Sequence, residues 1–533
     1  MSDQRKMGMG ESDMSTLEDI VKILSKEIRE ENDNITQIIL ALLSAWTSNP
    51  QNIRILAPSG EGKTYLVTKI AELFPQENII ILAKATPQSF KYALSSKKIV
   101  ENGPGNWQDY DVAIKPLEEE LSKTKDREKQ IELKDGIKEL RDSACDLVDF
   151  TNKIIILVDS QSFELFESIK TTLSHDQQNI QSFSVNKSKS GTILGQKFLI
   201  RGFPAMIYCS AKDEQKRDET NEINTRFNTI SLNASSKKYR EMLKLEAIRS
   251  SLPEAIYSEE IISEEEIEQI KKRIVDMIEK FKDNDEIFNP YGYGLSNLFK
   301  DDAGYRTRQF KVLNNNIRVL TLVNSDSRPK IVYDGKEFSI STRQDVEDAC
   351  SLTKEQKEIQ SYKIKFFNDH IRPSILRHGK EQSLVSGTIL CLTVSELADI
   401  LSRKGITTDR QRLQETILKP LVEHGFLEKL PDPDNKSRDV YNVSDAFVER
   451  QADVESTLID TSLLNVSCVR TFVEKYLEQR FNKGTLEILD ESGNKINLKE
   501  IVDILYKIDA QTTQNRHKIG SNEASKSNEG EQK

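Results

Sequence analysis

The chain has 533 residues, enough for three or four structural units at about 150 residues per domain. Hydrophobic residues make up 37% of the chain and charged residues 30%, which allows a large core and argues against complete disorder. The net charge of −10 excludes a generic polycation but allows local basic patches. The five cysteines lie far apart without a CxxC pair, which argues against a zinc site or a disulfide framework.

The sequence also indicates where the protein resides. No apolar run approaches the ~18 residues of a membrane-spanning helix. The N-terminus, from Met1 to Met14, is polar and lacks the hydrophobic core of a signal peptide. We therefore expect no membrane contact and a cytoplasmic location.

Helix and strand patterns alternate in the first part of the chain. Residues 1–34 are predicted to form an N-terminal segment that is disordered at first and then helical, with apolar residues at helical spacing. Apolar runs predict strands at residues 52–56, 78–82 and 153–158, and a helix is predicted from Lys63. This alternation is typical of an α/β fold with a parallel sheet.

A charged segment at residues 102–150 interrupts the alternation. Its composition and helical spacing predict a helical hairpin inserted into the main domain. A heptad seam, with steps of four, three, four and three, is formed by Leu133, Ile137, Leu140, Ala144 and Leu147. We therefore predict that the second helix of the insertion continues to the end of this seam.

The most specific motif is a glycine-containing loop that reads A-P-S-G-E-G-K-T from Ala57 to Thr64. It fits the Walker A pattern, with Ala in place of the first Gly, and lies between a strand and a helix. Gly60 and Gly62 let the backbone turn so that amide hydrogens converge on phosphate oxygens at the positive end of the helix. Lys63 would bridge the β- and γ-phosphates, and Thr64 would place its hydroxyl on Mg²⁺. The residues predicted to bind ATP are Pro58, Ser59, Gly60, Glu61, Gly62, Lys63, Thr64 and Tyr65.

The matching Walker B motif is the apolar run at residues 154–158, which ends in Asp159. A buried parallel strand has this continuous apolar character, and ligands bind at the carboxyl end of such strands. We predict that Asp159 holds, through water, the Mg²⁺ that Thr64 also binds. Many ATPases have a Glu after this Asp to polarise the attacking water, whereas this chain has Ser160. Glu164 is the nearest downstream carboxylate and is either a displaced catalytic residue or an ordinary residue of a helix start.

With both Walker motifs placed, the chain resembles an AAA+ ATPase of the helicase branch that includes the minichromosome maintenance proteins. Residues 180–201 resemble the β-hairpin that precedes sensor 1 in that branch. Residues 221–228 resemble the arginine-finger motif, with Thr225 and Asn228 in place of Ser and Asp. Residues 306–313 resemble the sensor-2 helix, and the whole resemblance covers roughly residues 35–345.

The resemblance implies a ring or filament of identical subunits with ATP at each interface. Arg226 would reach the γ-phosphate in the neighbouring subunit; the alternative is a surface ion pair with Glu222. Sensor 1, which orients water, maps onto Ser210. For sensor 2 we favour Arg308 over Arg306.

The hairpin at residues 180–201 has a polar, turn-prone centre that carries Lys187 and Lys189. The resemblance places these lysines in a central channel, where they would contact DNA phosphates. The alternative is a solvated surface loop, which is the usual place for lysines.

A second module follows at residues 385–445. Two helices joined at Gly405 and followed by two strands resemble a winged helix, whose second helix normally lies in the major groove of DNA. The cations that would contact DNA are Arg410, Arg412, Lys436 and Arg438. A protein-binding winged helix is the alternative, which the acidic residues Glu415, Glu423, Asp432 and Asp434 favour.

The predicted fold is therefore an α/β AAA+ P-loop core with a parallel sheet, flanking helices and a helical lid, plus a C-terminal winged helix. The predicted segments are the core at 35–235, the lid at 236–345, a linker at 346–384, the winged helix at 385–445, a small α/β extension at 446–509 and a disordered tail at 510–533.

Three functions agree with this prediction. The leading hypothesis is an ATP-dependent DNA helicase or translocase that acts in DNA replication, uses ATP and Mg²⁺, and assembles as a homo-oligomeric ring on DNA. The first alternative is an initiator-like switch that binds ATP and DNA but hydrolyses ATP slowly. The second is a regulatory ATPase whose winged helix binds protein.

Overall fold

A computed structural model describes residues 17–100, 107–159, 161–175, 177, 179–187, 193–210, 226–233, 235–283, 285–299, 306–353, 363, 366–384, 387–406, 409–423, 426–432, 438–444, 464 and 466–505. The chain divides into two compact units. The first unit consists of Met1–Leu40, Ile55–Leu73 and Asn228–Lys533, and the second of Ala41–Arg54 and Phe74–Phe227.

The helices of the described residues are α1 (Leu17–Leu24), α2 (Asn32–Leu43), α3 (Lys63–Ala71), α4 (Pro87–Leu94), α5 (Tyr110–Lys123), α6 (Arg127–Ser143), α7 (Phe163–Ser174), α8 (Ser236–Ser251), α9 (Glu254–Ile261), α10 (Glu264–Asp283), α11 (Gly292–Leu298), α12 (Arg306–Val323), α13 (Arg343–Leu352), α14 (Arg372–His378), α15 (Val394–Arg403), α16 (Arg410–Arg412), α17 (Lys419–Glu423) and α18 (Val466–Asn482). Residues 498–505 are also helical. Short 3-10 turns lie at Ser44–Trp46, Gln76–Asn78 and Ser325–Ser327, and π-helical turns at Phe367–Ile371 and Leu413–Leu418.

The strands are β1 (Asn52–Leu56), β2 (Ile79–Leu82), β3 (Ser95–Val100), β4 (Trp107–Asp109), β5 (Ala144–Asp149), β6 (Ile154–Leu157), β7 (Asn179–Lys187), β8 (Ile193–Arg201), β9 (Ala205–Ser210), β10 (Asn228–Ser231), β11 (Ile287–Phe288), β12 (Lys330–Tyr333), β13 (Lys336–Ile340), β14 (Lys380–Leu384), β15 (Gly387–Thr393), β16 (Leu427–Pro431), β17 (Asp439–Val443), β18 (Leu486–Leu489) and β19 (Lys495–Ile496).

The second unit contains the parallel strands that the sequence predicts. β6 pairs in parallel with β2 on one side and with β9 on the other. All four residues of β6 are buried, which explains why the strand is a continuous apolar run. Beyond β9 the order continues to β1, whose residues 52–54 belong to this unit. Helix α7 packs its apolar face against the same core through Leu165, Phe166, Ile169 and Leu173.

A further sheet in the second unit combines the charged insertion with the predicted hairpin, in the order β4-β3-β5-β8-β7. Helices α5 and α6 form the predicted helical hairpin. The predicted heptad seam is wrong beyond Ser143, because α6 ends there and Ala144 and Leu147 belong to strand β5. The buried residues Cys145 and Leu147 pack against Leu199 of β8, and this long-range contact favours the strand.

The hairpin predicted at residues 180–201 is present as β7 and β8, which are antiparallel from the pair Asn179–Arg201 to the pair Lys187–Ile193. On its other side β8 pairs in parallel with β5, from Asp146–Phe198 to Asp149–Arg201. In the described residues β8 pairs with β5 only from Phe198 onward, so residues 193–197 of β8 pair with β7 alone. Its tip at residues 188–192 lies outside the described residues.

The first unit contains the helices predicted after residue 236. Helix α8 starts at the N-cap Ser235, whose hydroxyl accepts a hydrogen bond from the backbone N–H of Lys238. Strands β12 and β13 form a hairpin with positive φ at its two turn residues, Asp334 and Gly335, as a tight hairpin turn requires.

The C-terminal extension shares a sheet with this hairpin, in the order β11-β13-β12-β18-β19. β18 is antiparallel to β12, with Tyr333 opposite Leu486. Phe472 of α18 packs against Phe288 of β11, with ring centroids 5.9 Å apart. The described strands of the predicted α/β extension at residues 446–509 thus complete a sheet that begins before the predicted winged helix.

The C-terminal module has a core of its own in the first unit. Its strands follow the order β14-β15-β17-β16, and a helix–turn–helix lies between β15 and β16. Gly405, with φ of 79°, makes the predicted turn after α15. Fully buried leucines from the helices fill the core: Leu397, Leu401, Leu413, Leu418 and Leu421.

Across the described ranges, no helix is both long and apolar enough to span a membrane.

Candidate nucleotide-binding site

The glycine-containing loop has the conformation that phosphate binding requires. Gly60 and Gly62 have φ of 89° and 85°, values that favour glycine over any other residue. A Cβ atom placed on either residue would meet no atom within 4 Å, so the loop is open where a ligand would approach. Helix α3 begins directly after Gly62, at Lys63.

The lysine of the motif lies over its own loop. The ammonium of Lys63 donates hydrogen bonds to the carbonyl oxygens of Ala57 and Pro58, each 2.7 Å away. Thr64, in the first turn of α3, is exposed. The loop therefore offers a cation, an accessible hydroxyl and flexible glycine backbone, the donor set that a nucleotide phosphate chain with Mg²⁺ requires.

Tyr65 belongs to a cluster beside the loop. Its hydroxyl donates to a carboxylate oxygen of Glu27 at 2.9 Å and accepts from Nη2 of Arg249 at 3.3 Å. The Arg249 guanidinium also contacts the hydroxyl of Tyr257 at 2.6 Å. Burial raises the pKa of Tyr65 to about 12, so its hydroxyl remains a donor at neutral pH. In this structure Tyr65 joins α3 to α8 through its side chain.

Glu61 faces α8. Its carboxylate accepts a hydrogen bond of 2.9 Å from the Tyr239 hydroxyl and lies 3.9 Å from the Lys238 ammonium. Lys238 is buried and forms a 2.7 Å ion pair with Glu31. The roles of Lys238, Tyr239 and Glu31 are not predictable from their positions in the sequence. The one signal is the unusual carboxylate of Glu61 between the two loop glycines.

In the second unit the residues predicted for Walker B and sensor 1 lie at equivalent positions of adjacent strands. Leu157 of β6 is opposite Tyr208 of β9. Asp159 lies two residues after Leu157, and Ser210 lies two residues after Tyr208. Asp159 is exposed, whereas Ser210 is fully buried. The two predicted residues therefore reach the same carboxyl edge of the sheet.

Gln161 is a positioning residue that was not among the predicted site residues. Its buried amide donates to the carbonyl oxygens of Asp159 at 2.7 Å and Ala83 at 2.9 Å, and its oxygen accepts from the N–H of Ala85 at 2.9 Å. These bonds join the segments that follow β2 and β6 and fix the backbone of Asp159. A polar residue after a strand gives no sequence signal for this role. Ser160 lies outside the described residues.

The other predicted catalytic residues of the second unit lie on or beside helix α7. Glu164 is exposed in the first turn of α7, which Ser162 caps through the N–H of Leu165. Arg226, which precedes β10, donates from Nη1 to the carbonyl oxygen of Lys170 at 3.0 Å. Arg226 is therefore held against the helix of its own chain.

Three of the remaining predictions concern the sensor-2 helix and the hairpin. Arg308 is exposed on α12, which begins at Arg306 as the predicted sensor-2 helix does. Lys187 is the last residue of β7, and Lys189 lies outside the described residues.

The predicted DNA-binding cations of the C-terminal module that the structure describes differ in their contacts. Arg412 and Arg438 are exposed, Lys436 lies outside the described residues, and Nη2 of Arg410 is 3.4 Å from a carboxylate oxygen of Asp399. The module thus presents acidic and basic residues on neighbouring elements.

No family model and no curated protein matches the chain. Among solved structures, the chain is similar to the crystal structure of Cdc6p from Pyrobaculum aerophilum, with 12% identity, a TM-score of 0.19, and coverage of 84% of this chain and 95% of that chain. It is also similar to a structure of Drosophila ORC bound to DNA, with 11% identity, a TM-score of 0.19, and coverage of 86% and 96%. At this TM-score the similarities support no conclusion on fold or function.

Proposed function

We propose that the protein binds ATP and Mg²⁺ through the loop at residues 57–64 and is a P-loop ATPase of the AAA+ class. The observation that carries the proposal is the loop itself: two glycines with positive φ, an open space above them, and Lys63 at the start of α3. Backbone amides at the start of this helix would bind the phosphates, and Lys63 would exchange its loop carbonyls for phosphate oxygens.

The remaining residues receive roles from the same proposal. Thr64 and Asp159 would hold Mg²⁺, which neutralises charge on the phosphates when it is bound. Ser210 would orient water, and Arg308 would contact the phosphates from α12. Arg226 would act on the ATP of a neighbouring subunit in a homo-oligomer.

The function that we favour is an ATP-controlled, initiator-like switch that binds DNA and hydrolyses ATP slowly. Ser160 replaces the usual Glu after Asp159, and Glu164 stands five residues after Asp159 on a helix that is capped and packed in its own right. Without a residue placed to polarise the attacking water, hydrolysis of bound ATP is slow, so the protein remains in its ATP-bound state. The helix–turn–helix module supports DNA as the ligand, through Arg410, Arg412, Lys436 and Arg438.

A second candidate is a DNA translocase or helicase. One observation favours it: among the described residues, the distal half of the β7–β8 hairpin, from the pair Phe183–Lys197 to the pair Lys187–Ile193, pairs with no third strand. Lys187 and Lys189 of such a hairpin would follow a DNA backbone, because phosphate contacts require charge and reach rather than sequence specificity.

The test is ATP binding and turnover of the full-length protein, alone and with single- or double-stranded DNA. We expect micromolar or tighter ATP binding that Lys63→Ala abolishes and Lys69→Ala, on the same helix, retains. Slow turnover with tight DNA binding identifies the switch, whereas DNA-stimulated turnover with strand separation identifies the translocase. Wild-type protein that does not bind ATP would refute the proposed function.

A further inference from the structure

The phosphate loop contains an acidic residue where a polyanion is expected to bind. Glu61 lies between Gly60 and Gly62, inside the segment whose amides would face the phosphates. A carboxylate free to turn toward those phosphates would repel them, and the repulsion would grow with the charge of the nucleotide. The structure shows that Glu61 is held by another element.

Two consecutive residues of α8 hold the Glu61 carboxylate, one oxygen each. The Tyr239 hydroxyl donates to Oε1 at 2.9 Å, and the Lys238 ammonium lies 3.9 Å from Oε2. The Glu61 side chain is only 18% exposed as a result. Partial burial, together with the bond to Glu61, raises the pKa of Tyr239 to about 12, so the hydroxyl remains a donor at neutral pH.

Lys238 is fixed by a second carboxylate. Its side chain and that of Glu31 are 4% and 3% exposed, with the ammonium 2.7 Å from Oε1 of Glu31. Glu31 also accepts from the Asn34 amide at 2.5 Å and the N–H of Asn233 at 2.9 Å. Burial raises the pKa of Glu31, and Lys238 opposes that rise. The cation is thus anchored in the first unit, which also carries the loop.

We propose that Lys238 and Tyr239 are positioning residues that neutralise Glu61 and hold it away from the phosphate chain of the bound nucleotide. This inference rests on the proposed function, because it assumes that the loop binds ATP. It adds a link between the loop and α8, the first helix of the predicted lid. A change in the position of α8 would release the carboxylate and weaken nucleotide binding.

The inference predicts how the loss of affinity depends on the ligand and on Glu61. Tyr239→Phe should raise the Kd for ATP about tenfold, or about 1.4 kcal/mol, raise the Kd for ADP less, and raise that for AMP least. In a Glu61→Gln background the same Tyr239→Phe change should have no effect on the Kd for ATP. Lys238→Met should also raise the Kd for ATP. It is combined with Glu31→Gln, because a buried, unpaired Glu31 would destabilise the fold.

The experiment is a calorimetric titration of the full-length variants with ATP, ADP and AMP, with thermal unfolding as the check on folding. Tyr293→Phe, at an exposed tyrosine of α11, is the matched control. A rise in Kd that Glu61→Gln suppresses supports the proposal. An unchanged Kd, or a rise that persists in the Glu61→Gln background, overturns it even though wild-type protein binds ATP. A wild-type protein without ATP binding overturns the proposed function instead.

Discussion

Arg226 donates a hydrogen bond from Nη1 to the carbonyl oxygen of Lys170, 3.0 Å away on helix α7. A guanidinium has five N–H donors, so a bond to Lys170 is compatible with a contact to a second acceptor. The contact orients the side chain without excluding a role at the ATP of a neighbouring subunit. An arginine finger and a structural arginine therefore have to be separated by experiment.

Mixing two inactive variants distinguishes an arginine finger from a structural arginine at position 226. Arg226→Ala subunits supply an intact loop and Lys63→Ala subunits an intact Arg226, so a mixed interface between them should regain a measurable part of the wild-type ATP turnover. The measurement is turnover as a function of mixing ratio, with mixed oligomers verified by mass. If turnover stays absent in verified mixed oligomers while Arg226→Ala lowers the unfolding temperature, Arg226 is structural.

Asp159→Asn should separate nucleotide binding from metal-dependent turnover. Since Asp159 lies at the carboxyl edge of the sheet and is proposed to hold Mg²⁺, the variant should bind ATP with a Kd within about threefold of wild type but lose turnover at least about 100-fold. The measurements are ATP titration and turnover over a range of Mg²⁺ concentrations. Asp142→Asn, an exposed carboxylate on α6, is the control. Wild-type turnover in Asp159→Asn would remove Asp159 from the metal site.

Replacing Lys187 and Lys189 with Ala tests the hairpin as a DNA contact. Two lost phosphate contacts should lower the slope of log K against log salt concentration by roughly two and weaken binding equally on unrelated sequences. The matched control is Lys134→Ala with Lys138→Ala, two exposed lysines of α6. An unaltered slope would exclude the hairpin from DNA binding and favour the module with Arg410 and Arg412.

The pKa of Cys350 predicts low thiol reactivity. Burial raises this pKa to about 12, so at pH 8 the thiolate, which is the reactive form, should be about 10⁴-fold rarer than the thiol. Cys145, Cys209 and Cys391 are buried as well. In a Cys468→Ser variant, native protein at pH 8 should react slowly with a thiol reagent, and four thiols should react after unfolding. Fast reaction of the native protein would contradict the burial of these residues.

The sequence predicted the features that depend on short segments. A strand followed by glycines with Lys63 and Thr64 is a local signal, because the turn and the helix start require those residue types in that order. The buried run before Asp159 and the turn at Gly405 are local signals of the same kind. These elements lie where the patterns indicate.

The features that were missed depend on contacts between distant residues. Ala144 and Leu147 fit a helical seam as well as a strand, and only the pairing of β5 with β8 decides between them. The hydrogen bond from Tyr239 to Glu61 joins two positions that no local pattern connects. Short strands such as β18 acquire their structure from a partner far away in the chain, so spacing alone does not reveal them.

Because β12 pairs with β18, the module at residues 366–444 lies in the chain between two strands of one sheet. A domain at the end of a chain has one covalent connection to the rest of the protein, whereas this module has two. A force applied to the module is therefore distributed over both connections. A truncation after residue 444 would remove β18 and leave the backbone of β12 as an open sheet edge, prone to pair with other chains. To remove the module without that damage, its two flanks must be rejoined.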